Sequence, residues 1–163
     1  MTGTQANSGT KTNSGNFFED FEFGQILKHA TPRTVTHGDV ALYTALYGSR
    51  FAVQSSDEFA KAIGYPRSPL DDMLTFHVVF GKTTPEISLN AIANLGYADC
   101  RFLKPVYPGD TLTARSTVTD KRESDSRPES GIVTWHTRGY NQRGEQVIEF
   151  HRTNFVAKGR PRT

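Results

Sequence analysis

Apolar and polar positions follow helical spacing in the first half of the chain and alternate in the second. The segment "THGDVALYTALYG" places Val40, Tyr43 and Tyr47 on one stripe. Thr36 can accept from the first turn, Asp39 three residues later completes a capping box, and Gly48 suits the C-terminal position. A second, shorter helix is expected in "SSDEFAKAIG", capped by Ser55 with Glu58 and ended by Gly64. The third lies in "SPLDDMLTFHVVFGK", with Ser68 as cap, Pro69 at the first helical position and Asp71 three residues after the cap. Leu70, Met73, Leu74, His77, Val78 and Gly81 form one face of it, while Phe76, Val79 and Phe80 cover much of the other. A helix apolar nearly all round is expected to be buried.

Strand patterns follow. "NAIANLGYADCRFLKPV" leads into the turn "YPGD", where Gly109 and Asp110 serve the turn. "TLTARSTVTDKRE" alternates along much of its length, and "SDSRPES" is a polar loop. "GIVTWHTRGY" and "EQVIEFHRTNFVAK" flank "NQRG", a hairpin turn with Gly144 at the position needing positive φ. Upstream, "NFFEDFEFGQ" holds too many aromatics for a linker and is expected to pack onto the domain; Pro32 keeps "HATPRTVT" extended. Helices first and antiparallel strands afterwards predict an α+β fold, one long buried helix against a curved sheet.

Composition narrows the function classes. The 163 residues suffice for one domain with a real core. A net charge of +2 with scattered basic residues points to no nucleic-acid partner, and Lys158, Arg160 and Arg162 make only a short basic end. The single cysteine, Cys100, excludes an internal disulfide framework or a multi-cysteine metal site, which fits a cytoplasmic protein. In its strand Cys100 is expected to be a small buried hydrophobe. No apolar run reaches the roughly 20 residues that span a bilayer. Residues 1–15, rich in Gly, Ser, Thr and Asn, are expected to form a flexible tail, residues 16–158 one domain, and residues 159–163 a basic C-terminal tail. His29, His136 and His151 show no metal-like spacing, so no metal is expected.

The segments "LYGSRFA", "FHVVFGKT", "ISLNAIANLGYA" and "RFLKPVYPGDTL" resemble the MaoC-like dehydratases, a hot-dog-fold family. Within it they are most similar to the N-terminal half of mesaconyl-CoA hydratase and its relatives. The resemblance spans residues 16 to 158. It implies a coenzyme A thioester as substrate or ligand, no other cofactor, and either a homodimer or a heteromer with a second hot-dog chain. Active members of the family carry an Asp and a His five residues apart in a D-x-N-P-x-H-x-D run, and these share acid–base duty on a water that adds to an enoyl thioester. A helix N-terminus polarises the thioester carbonyl.

Laid on this chain, the Asp falls on Ser49 and the His on Gln54, with Phe51, Ala52 and Ser56 at the Asn, Pro and final Asp. Neither serine nor glutamine shuttles a proton near neutral pH. The family's A-H-G at the start of the central helix becomes "LDD", with Asp71 and Asp72. The resemblance therefore implies a degenerate site. Asp71 is the acid to weigh as a substitute catalyst, against its simpler role as cap. His77 is a candidate base, against the simpler reading of a hydrogen-bonded core histidine. Arg50, Arg67 and Phe51 flank the expected cleft and are candidates for substrate binding, the arginines for coenzyme A phosphates. Three functions follow: a non-catalytic half or subunit of an acyl-CoA hydratase; an acyl-thioester-binding homodimer without catalysis; or an autonomous hydratase using Asp71 or His77.

Overall fold

The computed structural model describes residues 15–48 and 51–159. Ser49, Arg50 and almost all of the expected N-terminal tail lie outside the described residues. A 3-10 turn, Phe18–Asp20, precedes β1 (Ile26–Thr34). Then come α1 (His37–Tyr47), α2 (Ala52–Ser55), α3 (Asp57–Ala62) and α4 (Asp72–Ile87). Four strands complete the chain: β2 (Ala91–Phe102), β3 (Thr111–Glu123), β4 (Ser130–Tyr140) and β5 (Gln146–Ala157). All pairings are antiparallel in the order β1-β3-β4-β5-β2, which leaves β1 and β2 as edges. The α+β expectation holds, and α4 packs across the concave face of this sheet.

Alternation in β3 buries Leu112, Ala114, Ser116 and Val118, and β5 buries Ile148, Phe150, Arg152, Asn154 and Val156 in the same phase. α4 inserts Leu74, Phe76, Val78 and Val79 against them. Gly139 on β4 makes this approach possible, because a Cβ there would meet Val79 Cγ2 at 2.7 Å. A second cluster joins Phe18, Phe21, Ile87, Val118, Val133 and Trp135. Phe21 meets Trp135 edge to face at 5.0 Å, and both are fully buried. Each such side chain stabilises the fold by about 1.5–3 kcal/mol. The aromatic N-terminal segment thus packs down as expected, although Phe23 points outward at 78% exposure.

Local chemistry shifts two expected helix starts. Thr36 and Asp39 do form the capping box of α1, and Gly48 follows as its C-cap. The cap of α3, however, is Ser56, which accepts from the Phe59 N–H at 3.2 Å. Ser55 ends α2 and donates its hydroxyl to the Phe51 carbonyl, while Glu58 pairs with Lys61. Nor does Ser68 cap α4: its N–H goes to Asp57 Oδ1 at 2.8 Å, and Leu70 N–H goes to the Val106 carbonyl at 2.7 Å. These bonds hold residues 68 to 70 extended, so Asp71 becomes the cap, accepting from Met73 N–H at 2.8 Å. α4 also runs past the expected end, through Pro85 to Ile87.

Expected burial fails at four residues. Met73, His77 and Gly81 leave one stripe of α4 exposed, and Cys100 is exposed on β2. Ile92, Leu95, Tyr97, Phe102 and Leu103, on β2 and just after it, are each at least 40% exposed. Edge strand β2 has a neighbour on one side only, so none of the described residues covers that apolar side.

Candidate functional site

The loop quoted as "LYGSRFA" links α1 to α2, and Gln54 on α2 comes to lie near the N-terminus of α4. Val40, Tyr43, Thr44, Gly48, Gln54, Asp71 and Leu74 enclose a cavity of ≈ 10 Å³, space for about one water. Helical spacing on α1 brings Val40, Tyr43 and Thr44 to one wall; the cap of α4 supplies Asp71. Gln54 Oε1 is buried and has no hydrogen-bond partner among the described residues, so this wall offers an acceptor. Burial raises the Tyr43 phenol above its ordinary pKa, and the Asp71 charge adds to the effect. Asp72, on the first turn, is also raised, first by its surroundings and then by Asp71. The α4 N-terminus therefore carries two carboxyl groups where a bare terminus would favour an anion.

The remaining candidates divide. Arg67 donates through Nη2 to the Pro108 carbonyl at 2.7 Å, with its guanidinium carbon 5.6 Å from the Tyr107 ring centre. It braces the β2–β3 turn, where Asp110 accepts from the Tyr107 N–H and from Gln142 Nε2. Phe51 is 65% exposed beside the loop, and Arg50 falls outside the described residues, as does Ser49. His77 is not a core histidine. It lies exposed on α4, 6.2 Å from the Tyr43 ring and 5.7 Å from the Phe76 ring. The structure thus brings Gln54 and Asp71 together and leaves His77, Arg67 and Phe51 outside the cavity.

Chemically, the cavity has one carboxylate, engaged as a helix cap, beside an amide and a phenol that holds its proton firmly. Among the described lining residues these are groups that can bind and shape. Among the described residues no group of three or more His, Cys, Asp or Glu side chains could hold a metal ion. No described helix is long and apolar enough to cross a membrane.

Sequence reasoning passed over Arg152 and Asn154. Both are buried on the inner face of β5, at 4% and 0% exposure. Their signal was available, because they stand in phase with Ile148, Phe150 and Val156, where alternation calls for apolar residues.

Comparison with known proteins agrees with this geometry. The family model described as mesaconyl-CoA hydratase matches residues 4–163. The mesaconyl-CoA hydratase of Cereibacter sphaeroides is 57% identical over 148 residues, which are 91% of this chain and 43% of that protein. The beta-methylmalyl-CoA dehydratase of Chloroflexus aurantiacus is 58% identical over 151 residues, 93% of this chain and 43% of that protein. A solved structure described as a putative MaoC domain protein dehydratase from Chloroflexus aurantiacus superposes with a TM-score of 0.89 at 56% identity, covering 94% of this chain and 44% of that one. A Mycobacterium tuberculosis protein described as having a double hotdog fold superposes at 0.83 with 23% identity, a likeness of fold alone. The chain therefore spans less than half the length of these curated relatives. With a five-stranded antiparallel sheet cradling one long helix, and a family match over almost its whole length, the chain belongs to the mesaconyl-CoA hydratase family of MaoC-like hot-dog proteins.

Proposed function

We propose that this chain is the non-catalytic hot-dog unit of an acyl-CoA hydratase, shaping the acyl and coenzyme A site beside a second hot-dog unit that carries the acid–base pair. One observation carries the reading: the cavity at the α4 N-terminus presents Gln54 and a capping Asp71, with no pair able to pass a proton among the described lining residues. Two further features support it. The open apolar side of β2 and α4 is the surface a second unit would cover, and the chain spans 43% of each of its two relatives at 57% and 58% identity. In this reading Arg67 and Phe51 flank the groove for the thioester. Coenzyme A arrives as part of the substrate, and no further cofactor takes part. The acyl groups in those relatives' names, mesaconyl and β-methylmalyl, each keep a free carboxylate beyond the thioester.

The test is hydration of mesaconyl-CoA and crotonyl-CoA by the purified chain. The expected result is no turnover alone, and turnover once a hot-dog unit bearing the Asp/His pair is added. General acid–base groups contribute about 10²–10⁴ in rate, so the contrast is large. Ordinary enzymatic turnover by the chain alone, unchanged in Gln54→Ala, overturns the proposal. Its loss in Asp71→Asn would then support the autonomous reading, which the placement of Asp71 on the cavity favours.

A further inference from the structure

Arg152 is a buried cation without a counter-charge among the described residues. It stands on the inner face of β5, opposite Tyr97 of β2, at 4% exposure. Its Nε donates to Asn154 Oδ1 at 3.2 Å and its Nη1 to Thr83 Oγ1 at 3.3 Å, both neutral acceptors. The guanidinium carbon lies 4.4 Å from the Phe80 ring centre. All 17 Asp and Glu side chains fall between Glu19 and Glu149, within the described residues, and none makes an ion pair with Arg152. Burial lowers the pKa of the guanidinium, which marks how far it has left water. Desolvating an ion in this way is costly unless an anion meets it.

A second donor is left over at the same place. Accepting from Arg152 Nε commits Asn154 Oδ1, and the amide nitrogen, Nδ2, is buried with no partner. Arg152 Nη2 makes no hydrogen bond among the described residues and, unlike Asn154 Nδ2, is not fully shut from solvent. Two unmatched donors on neighbouring inward positions call for an acceptor with more than one lone pair, and a carboxylate fits them. Around them stand aromatic rings: Phe76 lies 5.3 Å from Tyr97 and 4.8 Å from Phe150, and Phe80 lies 5.8 Å from Tyr97. Tyr97 is 43% exposed, so this cluster opens on the uncovered side of the chain. An apolar wall with a few placed polar groups is the usual make-up of a small-molecule site.

We propose that Arg152, assisted by Asn154, receives the free carboxylate of the acyl group and so selects dicarboxylic acyl thioesters over plain ones. This rests on the reading of the chain as a unit that shapes an acyl-CoA site. It assigns Arg152 a specificity role and no part in proton transfer.

Titration calorimetry of the whole chain with mesaconyl-CoA, and with crotonyl-CoA, which lacks that carboxylate, tests it. The wild type should bind mesaconyl-CoA about 10- to 100-fold more tightly, the usual worth of hydrogen bonds to a charged group. Arg152→Met should bring the ratio to about one with crotonyl-CoA affinity unchanged, and Arg152→Lys should keep part of the preference. Two results overturn the inference while sparing the proposed function: a wild-type ratio near one, or equal weakening of both esters in Arg152→Met together with a fall in sedimentation mass. The latter would assign the counter-charge to a partner chain. If neither ester binds the wild type, the acyl-CoA reading fails and this inference falls with it. Should Arg152→Met not fold, the wild-type ratio and Arg152→Lys decide the question.

Discussion

Ser116→Ala should destabilise this protein far more than the loss of one small hydroxyl would suggest. Four side chains form a chain of hydrogen bonds between β1, β3, β4 and α4. His29 Nδ1 lies 2.9 Å from Glu86 Oε2, His29 Nε2 lies 2.8 Å from Ser116 Oγ, and Ser116 Oγ lies 2.8 Å from Thr137 Oγ1. Ser116 and Thr137 are fully buried, and His29 is 5% exposed. In a neutral ring the carboxylate at Nδ1 keeps the proton there, so Nε2 accepts from the Ser116 hydroxyl, which accepts in turn from Thr137. Removing Oγ116 therefore strands two groups at once, one acceptor on His29 and one donor on Thr137. A buried orphan costs about 1–3 kcal/mol, so two of them cost about 2–6 kcal/mol. For a domain of this size that lowers Tm by about 4–24 °C.

Thr137→Val should cost less, about 0.5–1.5 kcal/mol, because Ser116 keeps its bond to His29. The double variant should then cost less than the sum of the two, since valine removes the donor that Ser116→Ala strands. Urea unfolding followed by circular dichroism at pH 7 measures all three. A Ser116→Ala loss below about 0.5 kcal/mol, or additivity of the pair, would show that the four groups do not act as one network.

Glu145 accepts from Lys104 Nζ, Asn141 Nδ2 and Arg143 Nε, and these contacts, the lysine foremost, hold its carboxyl at about 2, below the ordinary 4.5. Its folded-state pKa is depressed, so its contribution is present above about pH 4.5 and fades as pH falls toward about 2; the Tm gap between wild type and Glu145→Gln should shrink across that window, and a constant gap would refute the assignment. Gly131→Ala should destabilise by about 1–3 kcal/mol, because its Cβ would overlap the Phe18 ring, and a neutral result in thermal unfolding would mean that the N-terminal segment does not pack on β4. The unpaired edge of β2 and the exposed stripe of α4 predict a dimer near twice the chain's 18.1 kDa by light scattering, which Met73→Glu should convert to monomer; a monomeric wild type at micromolar concentration would count against a second unit on this face.

Local signals in the sequence were enough for the order of elements. The Thr36–Asp39 box, the Gly144 hairpin turn and the alternation in β3 and β5 each act within a few residues, so they can be read without the fold. The α4 start at Asp71 was decided by tertiary bonds: Ser68 N–H is drawn to Asp57 and Leu70 N–H to Val106, partners remote in sequence. Exposure of His77 and Cys100 was also beyond the sequence, because an apolar stripe has the same spacing whether it faces a core or a partner. The union of Gln54 with Asp71, and of Arg152 with Asn154 under Phe80, came only from folding. These groups lie on separate elements or depend on which face of β5 turns inward. Strand order and helix placement settle that, and neither is written in any single stretch of the chain.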